Sequence, residues 1–130
     1  MKDRFPLVRL YLQQTTDTDI NDCLESLPSR DFVLDFEHKR LFFQLCRDHF
    51  SAIELDEDTQ MIYINKLHHR RKGVLGPQLL DHKLPSDSKR VEDFIYNLLD
   101  GQSVKYTYGN KGEEFRLDAD EHSLEFTLVH

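Results

Sequence analysis

Seven histidines, two cysteines and 24 acidic residues offer material for acid–base, nucleophilic or metal chemistry, if their spacing allows it. Metal sites usually announce themselves through His, Cys or carboxylate ligands at characteristic intervals. His68 and His69 are adjacent, so on a strand they point to opposite faces and do not readily share one ion. Asp81-His82 is near enough in sequence to contribute with either, but none of the recognised ligand spacings is present. Cys23 and Cys46 lack metal-type spacing, and each falls on an apolar stripe, which reads as two reduced, buried thiols. A disulfide between them is the alternative.

Nucleophilic catalysis needs a Ser or Cys activated by a base. The chain has no Gly-x-Ser-x-Gly elbow, no Gly-x-Gly-x-x-Gly fingerprint and no P-loop. Cys46 and His49 would meet on one face if that stretch were helical, an arrangement that also serves core packing at a helix edge. No carboxylate pair is singled out for glycoside chemistry, and Asp35 and Glu37 fit the solvent face of a half-buried strand. The expectation is therefore no catalytic residues, no metal, no cofactor and no enzymatic activity.

Charge is the more informative signal. The net charge of −7 conceals three blocks. Residues 1–65 carry 7 basic and 13 acidic groups, residues 66–90 carry 7 against 2, and residues 91–130 carry 3 against 9. Acid is densest at Glu54, Asp56, Glu57 and Asp58, and again at Glu113, Glu114, Asp118, Asp120 and Glu121. Two acidic hairpin tips at one end of a sheet would make a focused negative patch that attracts a cationic partner. The plainer reading is solvated turns that keep the protein soluble. His68-His69-Arg70-Arg71-Lys72 is the opposite feature, a short basic run without a phosphate loop or aromatic platform. The acidic chain around it would repel a polyanion, so nucleic acid is not expected as a partner.

These residues need elements to hold them. Alternation of Val8, Leu10 and Leu12 predicts a strand over Phe5–Gln13. Ile20, Cys23, Leu24 and Leu27 follow the helical interval and predict a helix over Thr16–Leu27, with Thr16 as N-cap and Pro28 after its end. Phe32, Leu34 and Phe36 predict a second strand. The 41–50 segment fits a strand through Leu41, Phe43 and Leu45, or a helical stripe through Phe42, Leu45, Cys46, His49 and Phe50; a strand after a turn at His38-Lys39 is the reading taken. Ala52–Leu55 and Met61–Asn65 flank an acidic turn as a hairpin, and Lys66–Pro85 is the least regular stretch. A helix opening at Asp87 or Ser88 buries Val91, Phe94, Ile95, Leu98 and Leu99 and stops at Gly101. Val104–Tyr108, Glu114–Asp118 and Leu124–Val129 complete a C-terminal three-strand meander.

The fold class this predicts is α+β: an antiparallel sheet of six to eight strands packed by two main helices, in a single domain spanning residues 1–130. A two-sheet arrangement is the alternative, because two helices cover so many strands poorly. Aromatics at 11% and nine Phe argue for a real core rather than disorder. No run reaches the ~18 apolar residues that crossing a membrane requires. Arg9 interrupts the first apolar stretch, so no secretory signal is read there and a cytoplasmic setting is expected.

Three functional expectations follow. The first is an acidic protein-binding module that neutralises a basic partner, in concrete form a bacterial immunity protein that inhibits a cationic toxin such as a nuclease, using the nine dense acids above. The second is a small enzyme or ligand-binding domain with a pocket lined by Tyr63, Tyr96, Tyr106 or Tyr108 and the histidines. The third is an oligomeric adaptor that pairs through an exposed edge strand, Leu124–His130.

Overall fold

The computed structural model of the chain describes residues 7–70, 86–109 and 112–129. Nine strands lie in one antiparallel sheet: β1 (Leu7–Thr15), β2 (Asp31–Asp35), β3 (Arg40–Gln44), β4 (Asp48–Asp56), β5 (Met61–Ile64), β6 (His68–Arg70), β7 (Ser103–Tyr108), β8 (Glu114–Ala119) and β9 (His122–Leu128). Their order is β3-β2-β1-β9-β8-β7-β5-β4-β6, and a further β3–β4 pairing closes eight of them into a barrel. β6 lies outside the ring, continuing along β4 where β5 leaves off. The antiparallel sheet was expected; its closure was not. Closure lets the sheet cover itself, which removes the need for a second covering helix and eliminates long open edges.

Strict alternation fills the interior. Val8, Leu10 and Leu12 of β1, Phe32 and Leu34 of β2, and Leu41 and Phe43 of β3 are all buried, while their neighbours face outward. Phe32 stacks on Phe43 at 4.7 Å and meets Phe126 edge-on at 4.8 Å, so three strands' aromatics interlock at the centre. Each such side chain contributes roughly 1.5–3 kcal/mol by leaving water. The 41–50 segment is strand, turn and strand, with Phe43 set opposite His49. β9 pairs with β1 on one side and β8 on the other, so the C-terminal strand is no exposed edge and the edge-pairing expectation loses its premise.

One end of the barrel carries the helices. α1 (Thr18–Asn21) and a 3-10 turn (Leu24–Ser26) replace the single predicted helix over Thr16–Leu27. The reason is local competition by short polar side chains. Asn21 bonds back to both backbone groups of Thr15, at 2.7 and 2.9 Å, and Asp17 rather than Thr16 caps the turn through the Ile20 N–H. Even so, Ile20, Cys23, Leu24 and Leu27 are all buried, as their spacing demands. α2 (Ser86–Leu99) lies across the same end. Ser88 ties it to the 3-10 turn through the Ser26 carbonyl at 2.7 Å, and Asp100, just past its end, accepts the Leu67 N–H at 2.8 Å. Gly101, at φ +65°, supplies the left-handed exit that ends the helix. Among the described residues no helix covers the opposite, open end, which is formed by the β2–β3, β4–β5 and β7–β8 turns.

Within Lys66–Pro85, the least regular stretch of the sequence, His68–Arg70 forms β6. Arg71, Lys72 and the Asp81-His82 pair lie outside the described residues. Among the described residues, no helix is long and apolar enough to cross a membrane.

Candidate functional site

Inward alternation on β4 points His49, Ser51 and Ile53 toward the interior, and His49 sits at the helix-covered end. Its ring stacks on Phe43, 4.7 Å away and 14° from parallel. The buried face of α2 consists of Ser88, Val91, Glu92, Ile95 and Leu99, so the helix brings one carboxylate onto an otherwise small or apolar stripe. A buried charge is costly unless it is paired and hydrogen-bonded. Glu92 is both: Oε2 accepts from His49 Nε2 at 2.8 Å and from the Arg47 backbone N–H at 2.9 Å. The two side chains are 3% and 8% exposed. Burial pushes the Glu92 pKa up, but the bonds from His49 and Arg47 and their charges outweigh it, and the net shift is downward. An ionised carboxylate only accepts, so the proton in this bond belongs to His49 Nε2.

Arg47, His49, His69, Lys89, Glu92, Asp93 and Tyr96 line a cleft of about 370 Å³ between α2 and the barrel rim. The His69 ring lies 5.7 Å from that of His49 and 6.5 Å from that of Tyr96. Two nitrogens at this site, His49 Nδ1 and Arg47 Nε, are sealed from solvent and have no hydrogen-bond partner among the described residues. Leaving such a group unmet costs about 1–3 kcal/mol. His69 is held below the ordinary imidazole pKa by partial burial first, then by its neighbours His49 and Arg47.

A carboxylate-oriented imidazole resembles the base of a hydrolase dyad in outline, but chemistry requires the free nitrogen to reach a substrate. Here Nδ1 is enclosed, and the arrangement orders the cleft rather than presenting an exposed base. Cys46 lies in the β3–β4 turn, not on a helical face with His49, and burial together with the Glu92 charge pushes its thiol up to about 11. Both cysteines are free and buried. Among the described residues, no cluster of three His, Cys, Asp or Glu is placed to hold a metal ion.

The acids singled out in the sequence do not form one patch. Glu54, Asp56, Glu57, Asp58, Glu113 and Glu114 gather toward the open end, on the β4–β5 and β7–β8 hairpins. Asp118 is half-buried further along β8, bonded to Ser123 and to Arg116 Nε at 3.1 Å. Asp120 and Glu121 occupy the β8–β9 turn at the helix-covered end. Of the four tyrosines expected to line a pocket, only Tyr96 enters the cleft; Tyr63 is exposed on the outer wall, and Tyr106 and Tyr108 pack near the open end with Phe115. His68 and His69 do face opposite ways, the former stacked on Phe50.

Glu92 and Arg47 were not singled out in the sequence. The signal for Glu92 was present, since it occupies the 88–91–92–95–99 stripe where burial is required. A wider groove of about 470 Å³ crosses the outside of β1, β9, β8 and β7. Two of its polar side chains, Gln14 and Glu125, bond to each other at 2.9 Å, and among the described residues it holds no buried polar atom without a partner. Comparison with models of known protein families and with curated proteins finds no match to this chain.

Proposed function

We propose that this protein is a small-ligand-binding barrel whose site is the cleft beside the His49–Glu92 pair. One observation carries the reading: two enclosed nitrogens, His49 Nδ1 and Arg47 Nε, stand without partners where the chain also leaves a cavity of about 370 Å³. An unmet buried polar atom calls for an explanation, and side chains held ready to turn toward a ligand supply one. Concavity, an aromatic wall at Tyr96 and a few convergent polar groups are the usual features of a ligand site. A cytoplasmic setting belongs to this reading, and the two free thiols are compatible with it. The test is a fragment screen followed by two-dimensional NMR. Ligands should perturb the His69 and Tyr96 side chains first, and a screen whose hits all map elsewhere overturns the assignment.

A second reading is supported at the other end of the barrel. The β4–β5 and β7–β8 turns lie at the same end of the barrel, on hairpins whose strands β5 and β7 are paired. Glu54, Asp56, Glu57, Asp58, Glu113 and Glu114 there suit a basic protein partner, and an immunity-type protein that inhibits a cationic nuclease toxin is the concrete form. Pull-down at low and moderate salt, with wild type and with Glu57→Lys/Asp58→Lys/Glu113→Lys, tests it. Capture of the same basic protein by both forms would count against this rim.

A further inference from the structure

We infer that the cleft takes a small oxyanion, a carboxylate or a phosphate monoester, received by the Arg47 guanidinium and the His69 imidazole. This rests on the cleft being the binding site and goes on to specify what it binds.

The hydrogen-bonding inventory of the cleft sets the ligand's polarity. Its two carboxylates are already engaged: Glu92 by His49 and the Arg47 N–H, and Asp93 by Lys89 at 3.2 Å. Among the other lining side chains, Arg47 and Lys89 are cationic and His69 and Tyr96 carry polar hydrogens, although Arg47 Nε itself is sealed from solvent. A ligand that fits must therefore accept hydrogen bonds. A guanidinium fork presents parallel N–H groups that match the two oxygens of a carboxylate or phosphate. The volume admits a small molecule, and a chain of net charge −7 disfavours a long polyanion.

The surroundings of His69 make binding pH-dependent. It faces His49 on β4, Arg47 in the β3–β4 turn, and Tyr96 and Glu92 on α2, with Lys89 and Asp93 also lining the cleft and His68 beside it on β6. Partial burial, then His49 and Arg47, disfavour its protonation, while Glu92 favours it. An anion seated among these groups reverses that bias, so binding takes up a proton at His69 and tightens as pH falls.

The experiment titrates intact protein with inorganic phosphate and, separately, with acetate at pH 5.5 and 7.5, following the histidine ring signals by NMR. At least one anion should shift His69 saturably, with severalfold tighter binding at pH 5.5. Phosphate alone, or acetate alone, identifies which oxyanion is accepted. Arg47→Gln keeps the backbone N–H to Glu92 and should weaken binding about tenfold, the equivalent of ~1.4 kcal/mol. His69→Gln, at an exposed position, should retain the fold and abolish the pH dependence of acetate binding, whereas phosphate, whose second ionisation falls between the two pH values, keeps a dependence of its own. If neither anion shifts His69 but a neutral fragment does, the oxyanion assignment falls and the cleft stands. If no probe shifts it, both fall.

Discussion

Glu92 Oε2 lies 2.8 Å from His49 Nε2, and this single bond joins the helix that covers the barrel to the strand that walls it. Because both side chains are buried, the pair cannot exchange its bond for water without opening the end of the barrel. The Arg47 backbone N–H converges on the same oxygen, so one carboxylate also fixes the β3–β4 turn.

Replacing Glu92 with Gln tests this anchor. The amide oxygen can still accept, but the charge-assisted character is lost, and a destabilisation of about 1–2 kcal/mol is expected near neutral pH. The Glu92 pKa is lowered on folding, so its contribution is complete above the unfolded-state value of about 4.3 and is lost as pH falls through the lower folded value. Urea unfolding from pH 7 to pH 3 should show the two proteins converging at the acid end. A constant difference across that range would show that ionisation of Glu92 contributes nothing.

The strands were legible because each is short and alternates cleanly, as in Val8-x-Leu10-x-Leu12 and Phe32-x-Leu34. Barrel closure was not legible. It depends on β1 meeting β9 and β3 meeting β4, and a local pattern carries no information about which strand lies alongside it. The Thr16–Leu27 segment shows the converse limit: its apolar spacing identified the buried residues correctly, yet Asn21 and Asp17 took over the backbone bonds and broke the helix. The cleft was half visible. Tyr96 and the histidines are among the expected pocket residues, whereas Glu92, although placed on the buried stripe, is masked by its type because an acid on a helix is ordinarily solvated.

Among the described residues, three turn residues other than glycine adopt left-handed backbone: Lys39 (φ +57°), Gln60 (φ +58°) and Asp120 (φ +53°). Asp tolerates this conformation better than Lys or Gln does. Gln60→Gly should therefore stabilise the protein by about 0.5–1 kcal/mol, even after glycine's larger unfolded-state entropy is counted. The turn keeps its Gln60 carbonyl bond to the Tyr106 N–H, which needs no side chain. Thermal unfolding should rise by about 2–4 °C. A fall instead would mean that the Gln60 side chain makes a contribution larger than the relief of strain.

Cys46, pushed up to about 11 by burial and by Glu92, stays almost wholly protonated at neutral pH, and Cys23 is likewise buried and raised. The thiolate is the reactive form. Iodoacetamide at pH 7.5 should leave both thiols unmodified in native protein and label both after denaturation, as intact mass would show. Rapid labelling of Cys46 in native protein would mean that the helix-covered end opens readily.

The acidic rim also acts on the barrel itself. Tyr106 lies near the open end, and its phenol is raised above the ordinary value by burial first, then by the charges of Glu57 and Asp56. Asp56 accepts the Asp58 and Thr59 N–H groups and holds the turn, so Glu57, exposed and free of that duty, is the residue to change. Glu57→Lys should shift the Tyr106 titration downward, followed by tyrosinate absorbance or by ring NMR signals at increasing pH. Burial is untouched by the substitution, so the shift should be partial and should shrink as salt is added. An unchanged titration at low salt would show that burial alone raises Tyr106, and that the carboxylates of this turn are too well screened to steer a cationic partner toward the rim.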